Sequence, residues 1–353
     1  MSYKNGMAAI DLEMPDLVPR TEYSAAELHL DLVNAVLGTK LTPDSDRSER
    51  DRAAVAFRQA WDYGLHWSTD IDSKEFGDVR TKMGHASYAA GNKDFSSEIS
   101  SYFEDVDDVF RFDAVEMLPQ YSHSELVSRF NALHYGKQNA NPDVVCTSGT
   151  YVTAVSALID LFGWELLLEG LGEDSDAMGR VLERYSQWIQ KYYDAIAESD
   201  VKVVMIHDDI VWTSGAFVSP AWYRKYVFPC YKRYIDPLKQ AGKKVLYTSD
   251  GTYDEFIDDI AACHFDGFVL EPTTDMAYIA EKYGKTHAFV GNADTRILLN
   301  GTREDIENEV KRCMDIGKNC PGFIMAVGNH IPPNTPVENA LWYNECFEKM
   351  RRR

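Results

Sequence analysis

Acidic, amide and imidazole side chains follow five hydrophobic segments in the second half of the chain. Two carboxylates and an imidazole that meet in one cleft can bind a metal ion through oxygen and nitrogen, a ligand set that suits Zn²⁺. The same groups can carry out acid–base chemistry, because crowded like charges raise the pKa of one of them. In chain order these residues are His207, Asp208, Asp209, Asp250, Glu271, Asn292, Asp294, Asn329 and His330.

Each of these residues also has a structural interpretation. We predict that His207, Asp208, Asp209 and Asn292 are catalytic. The alternative for the two aspartates is that they cap the next helix or bind backbone amides. For His330, which precedes two prolines, the alternative is that it fixes a rigid loop.

Three aromatic residues lie beyond the ends of the same hydrophobic segments. Trp212, Phe217 and Tyr253 are predicted to line a pocket for a flat, apolar substrate. Core packing is an equally good account of any single one of them.

The hydrophobic segments alternate with amphipathic stretches. The predicted strands are residues 201–207, 243–249, 267–270, 287–291 and 323–327, and the predicted helices after them are residues 220–240, 253–263, 276–283, 302–316 and 336–349. Continuous apolar strands that alternate with amphipathic helices indicate parallel strands covered by helices. Five successive units with short loops favour a closed (β/α)8 TIM barrel, in which the residues after the strands form the active face.

The pattern upstream is looser. Residues 143–147, 110–117 and 65–67 are predicted strands, and residues 151–162 and 175–197 are predicted helices. Residues 25–37 and 48–63 are predicted to form helices outside the barrel. We therefore expect an N-terminal helical extension at residues 1–62 and a catalytic (β/α)8 barrel at residues 63–353.

The composition excludes several classes of function. The chain has 353 residues and a net charge of −20, which argues against nucleic acid or an anionic membrane as the main partner. No apolar run approaches the ~20 residues of a membrane span, and no secretion signal is evident at the N-terminus. The cysteines have no CxxC spacing, so we expect reduced thiols and a cytoplasmic enzyme.

The C-terminal half also resembles a known family. Residues 291–294 (GNAD), residues 298–302 (LLNGT) and residues 328–339 (GNHIPPNTPVEN) are similar to motifs of the uroporphyrinogen decarboxylase superfamily, as are the Asp208-Asp209 pair and the Ser219-Pro220 helix start. The resemblance extends from about residue 143 to the C-terminus. It implies the (β/α)8 barrel that the strand–helix alternation favours.

The superfamily contains two chemistries. Its decarboxylases need an arginine-rich N-terminal motif to hold a polycarboxylate tetrapyrrole, and this chain does not show that motif. Its other branch consists of cobalamin-dependent methyltransferases, and those that act on thiols have a zinc site of the form His-x-Cys with a later Cys. The corresponding positions here are Thr248, Asp250 and Asn329, so all three thiol-site ligands differ.

The changed ligands imply a harder metal site. Within the resemblance, Asp250, Glu271 and His330 would bind zinc as a Lewis acid that polarises an ether oxygen. In a metal-free version, an acidic residue or His330 protonates the leaving oxygen. Within this superfamily the chain most resembles the corrinoid-dependent methyltransferases. It looks like the methyltransferase component of an O-demethylase system.

The resemblance also implies the partners. The methyl group would pass from a methyl ether, most simply a methoxylated aromatic, to the Co(I) of a cobalamin on a separate corrinoid protein. The corrinoid-binding motif Asp-x-His-x-x-Gly does not occur in this chain. The expected partners also include a second copy of the chain, in a homodimer. The alternative functions are decarboxylation of a porphyrinogen-like acid and a non-catalytic barrel that binds a small ligand.

Overall fold

The computed structural model of the chain describes residues 2–82 and 100–353. Its strands are β1 (Leu65–His66), β2 (Val145–Cys146), β3 (Ser148–Thr150), β4 (Val203–His207), β5 (Val211–Trp212), β6 (Gly215–Ala216), β7 (Lys244–Thr248), β8 (Gly267–Val269), β9 (Ala288–Ala293) and β10 (Phe323–Val327). Its α-helices are α1 (Ser2–Ile10), α2 (Ala25–Leu28), α3 (Leu30–Leu37), α4 (Arg47–Ala60), α5 (Val106–Arg111), α6 (Ala114–Met117), α7 (His123–Ala140), α8 (Val155–Glu173), α9 (Ser175–Glu198), α10 (Pro220–Trp222), α11 (Phe228–Gln240), α12 (Ile257–Ala261), α13 (Met276–Tyr283), α14 (Thr295–Asn300), α15 (Arg303–Gly317) and α16 (Val337–Met350). Short helical turns lie at Ser73–Phe76, Tyr223–Val227 and Asp254–Phe256.

The strand–helix alternation of the second half agrees with the prediction. Strand β10 and helix α13 have the predicted bounds, and β4, β7, β8 and β9 lie within two residues of theirs. Every residue of β4 and β10 is buried, as expected for parallel strands covered on both faces. The physical basis of the agreement is that continuous apolar runs are too short for helices and are bounded by polar residues.

The predicted strand at residues 110–117 is wrong. This segment forms the end of α5 and the whole of α6. Asp105 accepts a hydrogen bond from the backbone of Asp108, and Asp113 accepts one from the backbone of Val115. These two N-caps satisfy otherwise unpaired amides, and they stabilise helical turns in a segment whose apolar residues alone favoured a strand.

The chain divides into two compact units. Unit 1 contains Met1–Trp67, Gly136–Cys146 and Asp266–Arg353, and unit 2 contains Ser68–Tyr135 and Thr147–Phe265. The predicted division at residues 62 and 63 stays a prediction, and the predicted barrel range includes residues 83–99, which lie outside the described residues.

The sheet of unit 2 consists of β3, β4 and β7 in parallel. His207 is level with Thr248, so β4 and β7 end side by side. Because β4 and β7 end side by side, the residues that follow them are neighbours at one edge of the sheet. On the other side of β4, Gly149 lets β3 approach, because a Cβ atom there would lie 1.9 Å from the backbone oxygen of Met205.

The sheet of unit 1 consists of β8, β9 and β10 in parallel, and a segment near the N-terminus pairs with it. Thr21 donates its amide to Met325, and Met325 donates its amide to Pro19. Arg20 bridges to both Tyr63 and Met325, and Tyr23 bridges to His330. Residues 19–23, inside the predicted helical extension, thus lie along β10 as an extended segment.

A buried ion pair anchors that segment. The guanidinium of Arg20 lies 2.6 Å from Glu22, and both side chains are fully buried. The Arg20 guanidinium also packs over the ring of Trp61 at 4.4 Å. Glu22 accepts hydrogen bonds from the backbone of Val327 at 2.9 Å and from the hydroxyl of Tyr343 at 2.8 Å. The guanidinium and these two donors therefore offset part of the cost of burying the Glu22 carboxylate in the core.

A helix that crosses a membrane must be both long and apolar. Within residues 2–82 and 100–353, none of the helices meets both conditions.

Candidate active site

Three of the predicted residues form a cluster in unit 2. His207, Asp209 and Asp250 each offer a ligand atom, and these atoms lie within 4.8 Å of one another. Nε2 of His207 is 2.9 Å from Oδ1 of Asp209. His207 is buried, Asp209 is half-buried and Asp250 is exposed, so the cluster faces out from the edge of the sheet. We call these three residues the acid–imidazole cluster.

The strand register brings this cluster together. Because His207 is level with Thr248, the second residue after β4 and the second residue after β7 leave the sheet at the same height. The backbone amide of Asp250 donates to Oδ1 of Asp209 at 2.8 Å. The backbone amide of Asp209 donates to the hydroxyl of Ser156 at 2.7 Å. Asp209 is therefore held by its backbone and by its side chain.

Asp208 is turned into the fold. It is fully buried. Its carboxylate accepts hydrogen bonds from the backbone amides at the start of α8, which belong to Ala154, Val155 and Ser156 and lie at 3.2, 3.2 and 2.7 Å. The hydroxyl of Tyr231 donates to the same carboxylate at 2.5 Å. Burial raises the pKa of Asp208 despite these four donors. This contact is the backbone-amide binding that the sequence left open as the alternative, and it fixes α8 to the end of β4.

The electrostatics of the acid–imidazole cluster favour an ion pair. Burial lowers the pKa of His207, but the negative charge of Asp209, its hydrogen bond and the charge of Asp250 outweigh it, so the pKa of His207 is raised. Burial raises the pKa of Asp209, but the charge and hydrogen bond of His207 outweigh it, so the pKa of Asp209 is lowered. Both shifts favour the charged forms, a protonated imidazole beside an ionised carboxylate.

Tyr151 completes the cluster and was not predicted. Its ring lies 4.1 Å from the His207 ring, centroid to centroid, at an interplanar angle of 32°. Its hydroxyl hydrogen-bonds Asp209, which helps to lower the pKa of that carboxyl group. The residue directly follows β3, so the rule that found the other strand-end residues would have found Tyr151 had the sequence shown that β3 ends at Thr150.

Two of the three predicted aromatic residues lie together beside the Asp250 loop. Trp212 and Phe217 stack at 5.3 Å, and Trp164 of α8 packs against both rings at 5.7 and 5.2 Å. Trp212 is 46% exposed. The amide of Thr252 donates to the carbonyl of Trp212 at 3.2 Å, so the β5–β6 hairpin is tied to the loop that carries Asp250. We call Trp164, Trp212 and Phe217 the aromatic patch.

Tyr253 has a different environment. It is fully buried, and its ring packs edge-on against Tyr247 at 5.7 Å. Tyr253 therefore packs in the core, which was the alternative interpretation of the three aromatic residues. Its predicted contact with substrate stays a prediction.

The remaining predicted residues lie in unit 1. Asn292 is buried and donates to the carbonyls of Glu271 and Thr274, each at 3.1 Å, which ties β9 to the loop after β8. The side chain of Asn329 donates to Glu271 at 2.6 Å. His330 is half-buried and bridges to Tyr23, and burial lowers its pKa. The predicted metal set of Asp250, Glu271 and His330 stays a prediction.

The chain is similar to proteins named uroporphyrinogen decarboxylase and to a solved structure named methyltransferase. A family model described as uroporphyrinogen decarboxylase (URO-D) matches residues 96–350. Uroporphyrinogen decarboxylases of Pelobacter propionicus and Thermus thermophilus are 27% and 29% identical to the chain over 177 and 171 residues. These matches cover 50% and 48% of the chain and the same shares of the relatives, so the chain spans about half the length of the curated relatives it matches.

A solved structure extends the likeness to the whole chain. A methyltransferase from Methanosarcina mazei superposes with a TM-score of 0.64, at 18% identity, over 99% of this chain and 98% of that one. At this identity the likeness shows the fold alone. The fold is the (β/α)8 TIM barrel with an N-terminal helical part, which confirms the prediction from sequence.

Proposed function

The chain belongs to the uroporphyrinogen decarboxylase family, and we propose that it is a corrinoid-dependent methyltransferase of the O-demethylase type. In this proposal a methyl group moves from a methyl ether to the Co(I) of a corrinoid on a partner protein. The observation that carries the proposal is the acid–imidazole cluster, because an ether oxygen leaves readily only when a proton or a cation stabilises its negative charge.

The chain's own residues can supply that proton. The raised pKa of His207 favours a protonated imidazole, and because Nε2 lies 2.9 Å from Oδ1 of Asp209, a proton on Nε2 is shared with that carboxylate. During transfer the carbon–oxygen bond breaks, and the oxygen keeps the electron pair and takes the proton that Nε2 shares with Asp209. The methyl carbon bonds to Co(I), which supplies the electron pair and becomes Co(III). Asp209 orients the imidazole and Asp250 adds negative charge, whereas we assign Asp208 a positioning role through α8.

The same cluster fits a divalent cation. One nitrogen and two carboxylate oxygens within 4.8 Å of one another match the donor types and number of a three-ligand catalytic zinc site. We therefore revise the proposed ligands from Asp250, Glu271 and His330 to His207, Asp209 and Asp250. A cation held there would act as a Lewis acid toward the ether oxygen.

Metal analysis distinguishes these ligand sets. After dialysis against Zn²⁺, the protein is expected to retain about one ion per chain, and His207→Gln is expected to retain almost none. A Glu271→Gln, His330→Ala double variant serves as the control and should bind metal as the wild type does, by elemental analysis. Loss of metal in the double variant alone would favour the set predicted from sequence. No retained metal in any protein would leave the proton of His207 as the means of activation.

The aromatic patch supports a flat methyl donor. Its exposed member, Trp212, lies next to the loop of Asp250, and stacking on an aromatic side chain suits a methoxylated arene. Trp212→Ala is expected to raise KM about 3- to 10-fold for a methoxylated phenol and to leave methanol turnover unchanged.

A matched tryptophan provides the control for that variant. Trp342 in α16 of unit 1 donates its indole N–H to the carbonyl of Arg303, and Trp342→Ala should leave KM for the methoxylated phenol unchanged. An equal rise in KM for both variants, or none for Trp212→Ala, would contradict a substrate role for the patch.

The names of the curated relatives make decarboxylation of a porphyrinogen-like acid the second candidate. The acid–imidazole cluster disfavours it, because Asp209 and Asp250 place two carboxylates where a polycarboxylate would have to bind.

The test of the proposal is methylation of Co(I) cobalamin, free or on a corrinoid protein, with methoxylated phenols, choline-like amines and methanol as donors. The expected result is turnover of a methoxylated phenol, and turnover of a porphyrinogen without methyl transfer would overturn the proposal. A homodimer stays a prediction.

A further inference from the structure

Tyr151 contacts both members of the ion pair in the acid–imidazole cluster. The ring lies against the imidazole of His207 at 4.1 Å, and the hydroxyl bonds the carboxylate of Asp209. The close, tilted ring contact limits rotation of the His207 ring, while the hydroxyl occupies one direction of approach to Asp209. A single side chain therefore constrains both groups.

The backbone around Tyr151 is fixed on each side. The amide of Tyr151 donates to the carbonyl of Ile71 at 2.7 Å. The hydroxyl of the preceding Thr150 lies 2.6 Å from that of Tyr193, and the carbonyl of the following Val152 accepts the hydroxyl of Tyr185 at 2.5 Å. Both of these partner tyrosines belong to α9 and are buried. The side chain of Tyr151 thus projects from a segment that packing holds in place.

We propose that Tyr151 is a positioning residue for the reaction, whose ring sets the plane of the His207 imidazole and whose hydroxyl sets the rotamer of Asp209. The inference rests on the proposed function, in which the proton shared by Nε2 of His207 and Oδ1 of Asp209 must lie within reach of the leaving oxygen. Proton transfer requires heavy atoms within about 3 Å and in good alignment, so rotation of the imidazole would slow the chemical step without weakening substrate binding.

The two contacts can be separated by substitution. Tyr151→Phe keeps the ring and removes the hydroxyl, whereas Tyr151→Leu removes both. Loss of an orienting partner commonly costs 10- to 100-fold in activity. We therefore expect kcat to fall about 10-fold in Tyr151→Phe and about 100-fold in Tyr151→Leu, with KM unchanged in both. A loss caused by unfolding would instead appear as a lower unfolding midpoint.

Another tyrosine–carboxylate pair provides the matched control. The hydroxyl of Tyr135 donates to Asp200 at 2.7 Å, and Tyr135 is half exposed on α7. Tyr135→Phe removes the same kind of hydrogen bond from another part of unit 2 and should leave kcat unchanged. A fall in kcat equal to that of Tyr151→Phe would show that such bonds act through stability, and it would overturn the proposal.

A spectroscopic measurement tests the positioning without any substrate. In the NMR spectrum at one pH, the ring at residue 151 should shift the resonances of the His207 ring protons in the wild type and in Tyr151→Phe, and this ring-current shift should vanish in Tyr151→Leu. The Nε2–H resonance should be sharp in the wild type and broadened in Tyr151→Phe. Unchanged resonances in both variants would refute the positioning role. If the resonances change but no donor methylates Co(I), the proposed function fails and the positioning role stands.

Discussion

His207→Gln is expected to lower kcat/KM for methyl transfer by about 100- to 10,000-fold, the range that a positioned general acid contributes. Glutamine has a similar reach, but it cannot release a proton or serve as an imidazole ligand. The measurement is the rate of absorbance change as Co(I) cobalamin is methylated by a methoxylated phenol. The fold should persist, because His207 is held in β4 by strand pairing with Thr248 and not by its side chain alone.

The matched control for this variant is His123→Gln. His123 also pairs with a carboxylate, since its Nε2 lies 2.7 Å from Glu198, but the pair is on the exposed surface at the start of α7. We expect wild-type rates from it. A His207→Gln enzyme that works at a rate close to that of the control would show that the acid–imidazole cluster is not the reaction centre.

Arg20→Met is expected to reduce the free energy of unfolding by about 3–5 kcal/mol, because it leaves the carboxylate of Glu22 buried without its cation. Both side chains of the pair have no exposed surface, and the hydrogen bonds from Val327 and Tyr343 cannot neutralise a full charge. Urea unfolding followed by circular dichroism measures the change as a lower midpoint.

Two further variants make the interpretation of Arg20→Met specific. Arg47→Met removes an exposed arginine whose guanidinium lies 3.9 Å from Asp51, and such a surface pair contributes about 1 kcal/mol or less. The double variant Arg20→Met, Glu22→Gln removes both buried charges, keeps an acceptor oxygen for the buried donors and should recover much of the lost stability. If the double variant were as unstable as Arg20→Met, lost packing around Trp61 would be the cause instead of an unpaired charge.

The sequence was sufficient to predict those helices and strands whose hydrophobic pattern is local. The apolar run of β10 and the amphipathic run of α13 have distinct periodicities, so their bounds agree with the prediction. The strand-end rule likewise identified His207, Asp209 and Asp250, because residues after parallel strands gather at one edge. This rule could not predict which of the strand-end residues contact one another. That depends on the register between β4 and β7, which side-chain contacts across the sheet determine.

The features that sequence analysis missed depend on contacts that are distant along the chain. Tyr151 joins the cluster only because β3 pairs with β4, and Trp164 joins the aromatic patch only because α8 packs near the β5–β6 hairpin. Asp208 resembled Asp209 in sequence, yet one carboxylate turns into the fold and the other toward the cluster. Period-two alternation accounts for this difference, since successive residues after a strand point to opposite sides.

The pairing of residues 19–23 with β10 has a consequence for how the chain is made. Glu22 and the amide of Val327, from which it accepts a hydrogen bond, are 305 residues apart, so a ribosome must synthesise all of the intervening chain before the two can meet. Until then the carboxylate of Glu22 and the guanidinium of Arg20 have no interior to enter. Strand β10 is thus made long after the segment that pairs with it, and burial of this ion pair should be a late step of folding.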